Sequence, residues 1–277
     1  MINEKKLYLC EQHTQRLYAI AVGMAQEAAR AGNFGRGYAV VAHEALRAAD
    51  NLQTSVVGAK FEGEIEQLLK QASAYAMELF YLSINAELEA IRICETDNTM
   101  SNNKAITVFI AELQKLAMAL NELGEKRPWN QPSVLVEAAN PIKSSAMRHN
   151  FFKFAVGGVV LVESALNVME VLHRRSDDLA GDTIKIRGLE IPIINLHKCF
   201  GIAPIGDVFA VIIVQSEKDK YVAIPADDLD VSTIFRSNIG LAVRPAAGHP
   251  LKDYARECWD AVGGGQMVFL DWVKLLA

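Results

Sequence analysis

Apolar residues in the first 123 positions recur in alternating steps of three and four, the spacing of helices that bury one face. No proline occurs before Pro128, so long uninterrupted helices are permitted there. Two of the apolar stripes run Ile65, Leu68, Ala72, Tyr75, Leu79, Leu82 and Ile106, Phe109, Leu113, Leu116, Leu120, Leu123.

Clusters of glycine and polar residues interrupt this pattern, because glycine permits the backbone conformations that end helices and Ser and Asn cap their starts. The clusters cover residues 32–37, 58–63 and 96–103. The helices predicted between them cover about residues 4–31, 37–57, 64–94 and 104–123. Short connections favour antiparallel neighbours, so we predict an antiparallel four-helix bundle over residues 1–125, built from hairpins at about 4–57 and 64–123.

The pattern changes after a proline-containing stretch, residues 126–149, which we predict to be a linker between domains. Beyond it the apolar period is two, and hairpins are predicted to turn at Gly157-Gly158 and Arg187-Gly188. Further strands are predicted at 209–214, 221–224 and 266–270. Residues 150–277 are therefore predicted to form an all-β domain, and the chain a multi-domain α + β protein.

Composition narrows the function classes. The net charge of −5 over 277 residues argues against a nucleic-acid surface, and no apolar run is long enough to cross a bilayer. No signal peptide is apparent, so a cytoplasmic protein without membrane insertion is expected. The four cysteines show no C-x-x-C spacing and are expected to be buried, reduced thiols. The six histidines are dispersed, so no metal, cofactor or enzymatic activity is expected.

One segment carries a long motif. Residues 27–42 read EAARAGNFGRGYAVVA, which closely resembles the signalling-tip hairpin of bacterial methyl-accepting chemotaxis receptors, E-A-A-R-A-G-x-x-G-R-G-F-A-V-V-A. The tip turn implied by this resemblance comprises Gly32, Gly35, Arg36 and Gly37. Gly23 stands where the receptor family has Asn.

A weaker copy of the motif follows in the same chain. Residues 82–92, LSINAELEAIR, resemble the approach to the tip, and residues 107–117, TVFIAELQKLA, resemble the returning helix. Glu27 recurs as Glu89 at an offset of 62 residues, and Val40 recurs as Val108 at an offset of 68. Receptors of this family are homodimers, so the resemblance implies that one chain supplies both hairpins of a receptor-dimer-like tip.

The resemblance also implies protein contacts at the polar residues of the tip. They are Glu27, Arg30, Val40, Glu44, Asn85, Glu89, Arg92, Val108 and Glu112. The alternative is that a Glu and an Arg one turn apart only pair along their own helix.

The β half resembles CheW, the adaptor that couples receptors to the histidine kinase CheA. Residues 184–201, IKIRGLEIPIINLHKCFG, resemble the family's L-R-G-x-I-V-P-V-I-D-L-R-x-x-F-G, with Asn195 in place of a common Asp. The matching positions are Arg187, Gly188, Ile191, Pro192, Ile193, Asn195 and Leu196. The resemblance implies two small SH3-like barrels. Arg187 and Gly188 are also explained as turn residues, and Leu189, Ile191 and Ile193 are predicted to face the core.

Two classes of function remain open at this point. The resemblances imply a non-enzymatic scaffold that binds a CheA-type histidine kinase, chemoreceptor tips or other CheW-like proteins. They also allow the bundle to dock on the chain's own β domain. The alternative is a soluble sensor that binds a small ligand within the bundle. Its pocket would be lined by Tyr75, Phe80, Tyr81 and Phe109, for which core packing is the favoured explanation.

Overall fold

A computed structural model describes most of the chain, which divides into two compact units. The described residues are 2–59, 61–96, 104–124, 149–204, 208–217, 220–227, 229, 234–237, 251, 253–260 and 266–276. The first unit holds helices and the second holds the strands. Apart from residue 149, the predicted linker lies outside the described residues.

The helical unit contains four long helices that begin and end within two residues of the predicted positions. They are α1 (Ile2–Arg30), α2 (Arg36–Gly58), α3 (Glu62–Thr96) and α4 (Lys104–Leu123). A short 3-10 helix, Gly32–Gly35, joins α1 to α2. We call α1 with α2 the first hairpin and α3 with α4 the second hairpin.

All four helices contribute to one hydrophobic core. The helix α1 packs against α2 and α4, and α3 packs against α4 and α2. Most positions of the two predicted stripes are buried, whereas Tyr75, Phe109 and Leu123 are half-buried at the edge of the core. Alanines fill many core positions of α2, which lets neighbouring helices approach closely. None of the described helices combines the length and the hydropathy that a membrane crossing requires.

Among its described residues, the second unit contains ten strands, two short α-helices and a 3-10 helix, Ser176–Leu179. The strands are β1 (His149–Val156), β2 (Val159–Ser164), β3 (Val168–Arg175), β4 (Thr183–Ile186), β5 (Leu189–Pro192), β6 (Val208–Glu217), β7 (Lys220–Ala226), β8 (Ile234–Ser237), β9 (Ala255–Asp260) and β10 (Gln266–Leu270). The helices are α5 (Leu196–Phe200) and α6 (Trp272–Leu276).

These strands form three sheets, in the orders β8-β1-β2-β10-β9, β3-β6-β7 and β4-β5. Strands β2 and β10 are parallel, and the other paired strands are antiparallel. Both predicted hairpins are present, with Gly157-Gly158 between β1 and β2 and Arg187-Gly188 between β4 and β5. None of the sheets formed by described residues closes, so they show a β domain but not the two small barrels that the resemblance implies.

Candidate functional site

The turn of the first hairpin is tight because Gly35 lies directly against the end of α1. A Cβ atom at Gly35 would lie 2.9 Å from both the carbonyl carbon of Ala28 and the Cβ of Ala31, closer than real Cβ atoms approach. Gly32 adopts a positive φ of 58°, which glycine tolerates without strain. Arg36 Nη2 donates to Asn33 Oδ1 at 3.0 Å, so this guanidinium bonds within the turn.

Gly37 serves a different purpose, because it makes room for a side chain of the second hairpin. A Cβ atom at Gly37 would lie 2.7 Å from Oε1 of Glu89. The following residue, Tyr38, is fully buried, and burial together with the nearby Glu27 raises the pKa of its hydroxyl. The tip turn of one hairpin and the polar motif of the other therefore meet in one place.

Both predicted Glu–Arg motifs form ion pairs along their own helices, Glu27 with Arg30 and Glu89 with Arg92. Their exposure differs. The side chain of Arg30 is 70% exposed, whereas that of Arg92 is only 19% exposed. The pairing along one helix is thus present in both hairpins, and the first hairpin presents the more accessible guanidinium.

The remaining predicted contact residues lie on the outer part of the helices. Val40 is 36% exposed and Val108 is 56% exposed. Glu44 pairs with Arg47 one turn away. Glu112 pairs with Lys115 and also with Arg16 of α1, and these hydrogen bonds lower the pKa of its carboxyl.

The repeat seen in the sequence is also a repeat of contacts. Arg16 and Glu78 are equivalent at the offset of 62, and Glu44 and Glu112 at the offset of 68. Glu112 bonds to Arg16. Burial raises the pKa of Glu78; Arg47, 3.8 Å away, opposes this, and the charge of nearby Glu44 adds to it. Sequence reasoning missed Arg16 and Glu78, although the same offsets connect them.

In the second unit, Arg187 and Gly188 form a turn in which both residues have positive φ, 50° and 82°. This matches the two-residue turn that suits the twist of a hairpin. Arg187 also reaches out of the turn, since its Nη2 lies 3.0 Å from Oε1 of Glu170 on β3. The prediction that Leu189 faces the core is wrong, because it is 55% exposed at the end of the hairpin next to the turn.

The rest of the CheW-like motif builds a short helix. Ile191 is buried, Pro192 is exposed, and Ile193 is half-buried and bridges to Ala223. Asn195 caps α5, with its side-chain oxygen accepting from the backbone N–H of Lys198 at 3.1 Å. Leu196, the first residue of the helix, is fully buried.

A buried polar network in the same unit was not predicted. His197 Nε2 lies 2.9 Å from each carboxylate oxygen of Asp227. Asp227 also accepts from the backbone N–H of Gly157, and its own N–H donates to the carbonyl of Ala155 at 2.9 Å. The network fixes the β1–β2 turn to α5. Its members lie 30 and 70 residues apart, so no local motif could have indicated it.

The aromatic residues of the ligand-pocket hypothesis take part in different helix interfaces. The hydroxyl of Tyr75 lies 2.9 Å from the hydroxyl of Ser55 on α2, whereas the ring of Phe109 faces Gly23 on α1. Phe80 and Tyr81 contact each other edge to face, with ring centroids 5.9 Å apart. These contacts favour the interpretation of the cluster as packing.

The cysteine prediction is wrong at one position. Cys10 and Cys258 are buried, but Cys199 is exposed on α5. Its neighbours Leu196 and His197 take the inward face of this short helix. No group of His, Cys, Asp and Glu residues suited to a metal ion is present within the described residues.

Comparison with solved structures finds chains that are similar to part of this protein. No protein-family profile matches the sequence, and no curated protein matches it. One of the similar solved structures is the crystal structure of the scaffolding protein TtCheW from Thermoanaerobacter tengcongensis. The match covers 46% of this chain and 86% of the TtCheW chain, at 18% identity and a TM-score of 0.38. A score of this size does not by itself establish a shared fold.

Proposed function

We propose that this protein is a non-enzymatic scaffold of bacterial chemotaxis signalling arrays. The helical unit takes the place of a receptor dimer, as an antiparallel four-helix bundle. The CheW-like domain binds a CheA-type histidine kinase, receptor tips or other CheW-like proteins in the cytoplasm. The observation that carries the proposal is that two receptor-tip motifs, each with its Glu–Arg pair and exposed valine, share one core in a single chain.

The surface of the first hairpin suits a protein partner. Arg30, Val40 and Glu44 combine an accessible guanidinium, an exposed branched apolar side chain and a carboxylate on one hairpin. Arginine is enriched in protein interfaces. This surface is the one proposed to contact receptor tips.

The hairpin formed by β4 and β5 suits a second partner. Arg187 and Leu189 are exposed beside its turn, while Ile184, Ile186 and Ile191 anchor it in the core beneath. An anchored hairpin presents exposed side chains at little cost in conformational entropy. The CheW-like motif supports assigning this hairpin to kinase or receptor binding.

The absence of an enzymatic role is supported by how the most reactive pair is used. His197 and Asp227 are almost completely buried, and they hold the Gly157 turn instead of facing a substrate. A His–Asp pair in a catalytic site would need a third group and access to a reactant. We therefore assign it a structural role.

Binding of the purified full chain tests the proposal. The chain is titrated against an immobilised regulatory domain of a CheA-type kinase and against a receptor-tip fragment. We expect binding to at least one of them. We expect it to weaken about tenfold on Leu189→Ser, as for an interface anchor, and to stay unchanged on Lys185→Ser, an exposed control in the same hairpin.

Binding to neither partner would overturn the proposal. Equal effects of the Leu189 and Lys185 substitutions would leave the scaffold role but reject this hairpin as its contact. Docking of the bundle on the chain's own β domain has a separate signature. In that case, substituting Val40 would strengthen kinase binding, because it would release the β domain.

A further inference from the structure

One contact between the two hairpins has no room for a larger residue. Gly23 of α1 lies beneath the ring of Phe109 of α4, and a Cβ atom at residue 23 would lie 2.6 Å from Cε1 of that ring. Real Cβ atoms essentially never approach within 3.0 Å of a neighbour. The atoms in the way are at the far end of the Phe109 side chain, so a Cβ at residue 23 would displace a half-buried ring that packs against the core.

The equivalent positions on the other side of the repeat carry different residues. At the offset of 62, Gly23 corresponds to Asn85, and at the offset of 68, Phe109 corresponds to Val41. One pair of positions therefore joins glycine to phenylalanine, and the other joins valine to asparagine. Each hairpin contributes one residue to each pair.

We propose that Gly23 and Phe109 form a specificity pair that makes the two hairpins bind each other and prevents either from pairing with the same hairpin of a second copy. Two first hairpins would place Gly23 opposite Val41 twice and leave two voids. Two second hairpins would place Asn85 opposite Phe109 twice, where even a Cβ does not fit. Voids and steric clashes both lower stability, so both kinds of mismatched pairing are less stable than the native pairing.

Charge does not make the same selection. In the present pairing Arg16 bonds to Glu112, while Glu78 lies 3.8 Å from Arg47 and near the like charge of Glu44. Two first hairpins would gain two Arg–Glu contacts, and two second hairpins would gain two Glu–Glu proximities. Matched and mismatched pairing therefore give the same total number of favourable and unfavourable charge contacts. The difference in side-chain packing then determines which hairpins pair.

The inference rests on the internal repeat and its contacts, and it holds whatever the chain binds. It makes the two sides of the helical unit permanently different. That difference agrees with the unequal exposure of Arg30 and Arg92.

A set of substitutions in the full chain tests the shape argument. We expect Gly23→Ala to raise the equilibrium constant of unfolding about tenfold, as overpacking does. In a Phe109→Val background we expect the same substitution to lower it about threefold, because alanine favours helix over glycine once the ring is gone. Gly63→Ala, at a helical glycine with open space around it, is the control and should not raise it. The same sign for Gly23→Ala in both backgrounds would overturn the proposal.

A disulfide trap tests the pairing itself. In a full chain with Cys94→Ser and Cys199→Ser, the pair Arg16→Cys and Glu44→Cys can form a disulfide between chains only where two first hairpins meet. Arg16→Cys with Glu112→Cys reports the native pairing.

After refolding at high protein concentration, we expect monomers from the otherwise native chain. We expect several-fold more covalent dimers once Gly23→Asn and Phe109→Val make the two sides alike. Phe109→Val alone serves if the double variant does not fold. Equal dimer yields in both backgrounds, including none in either, would overturn the proposal.

Discussion

The first and second hairpins carry the same motif in different surroundings. Arg30 projects into solvent, while the equivalent Arg92 is largely enclosed. Glu44 pairs within its own helix and approaches another carboxylate, Glu78, whereas Glu112 bonds to a cation of the opposite helix. The repeat preserves which residue types are present, and the facing helix decides what each of them does.

This difference teaches that a duplicated interaction motif need not give two interaction surfaces. In a symmetric dimer both copies see the same neighbours. In one chain the neighbours diverge, as Gly23 and Asn85 or Arg16 and Glu78 show. A copy can then become part of the scaffold that supports the other, and each of the following predictions tests that division.

The largest expected effect is at the tight turn of the first hairpin. Gly35→Ala would force a Cβ against the backbone of Ala28, which cannot move aside as a side chain can. We expect the free energy of unfolding to fall by about 3 kcal/mol, at the upper end for overpacking. Gly58→Ala, at the open end of α2, should change it by less than about 1 kcal/mol. Chemical denaturation measures both, and equal effects would mean that the turn is not tight.

Tyr38 gives the next largest effect, with the opposite sign. Its hydroxyl is buried without a hydrogen-bond partner among the described residues, and the equivalent residue of the second hairpin is Ile106. Tyr38→Phe should therefore raise the free energy of unfolding by about 1 kcal/mol. Tyr18, whose hydroxyl bonds to Asp50, is the control, and Tyr18→Phe should lower it. A loss on Tyr38→Phe would show that the hydroxyl has a partner.

The smallest effects are electrostatic and depend on pH. Glu112 has a lowered pKa in the folded chain, so it adds stability above its unfolded pKa and loses it as the pH falls through the folded value. Glu78 has a raised pKa, so it costs stability as the pH rises through its unfolded value. At pH 7 we expect Glu112→Gln to lower the free energy of unfolding by about 0.5 kcal/mol and Glu78→Gln to raise it by a similar amount.

As the pH is lowered from 7, the Glu78 effect should vanish below the ordinary pKa of a glutamate, whereas the Glu112 effect should persist to a lower pH because its folded pKa is lowered. Thermal denaturation over a series of pH values measures both. Two losses of equal size at pH 7 would mean that the equivalent sites are electrostatically alike, and the distinction between the hairpins would fail there.

Much of the fold follows from local patterns. The helix ends were predictable because glycine and polar clusters stop helices, and the hairpins because Gly157-Gly158 and Arg187-Gly188 suit two-residue turns. Strands β3, β8 and β9 were not predicted, and the sequences of β8 and β9, IFRS and ARECWD, show no clear apolar alternation. Leu189 fits the period-two apolar pattern of its strand. It is nevertheless exposed, because the hydrophobic core does not extend to the turn end of the hairpin.

The candidate site was predictable in type but not in environment. The motif placed Glu27, Arg30 and Val40 together because they lie on one hairpin. Glu112, for example, bonds to Arg16, which lies 96 positions away in the sequence. The Asp227 network is set by chain contacts of the same kind, which no local pattern encodes.

The central claim is that the first hairpin presents a receptor-type contact surface, and binding of the full chain to a receptor-tip fragment tests it most directly. Val40→Asp is compared with Val57→Asp, since both valines are exposed on α2 and Val57 lies at the end away from the tip. We predict that Val40→Asp weakens binding at least about tenfold while Val57→Asp leaves it unchanged. Equal affinities of the two variants, or no binding by the native chain, would contradict the claim.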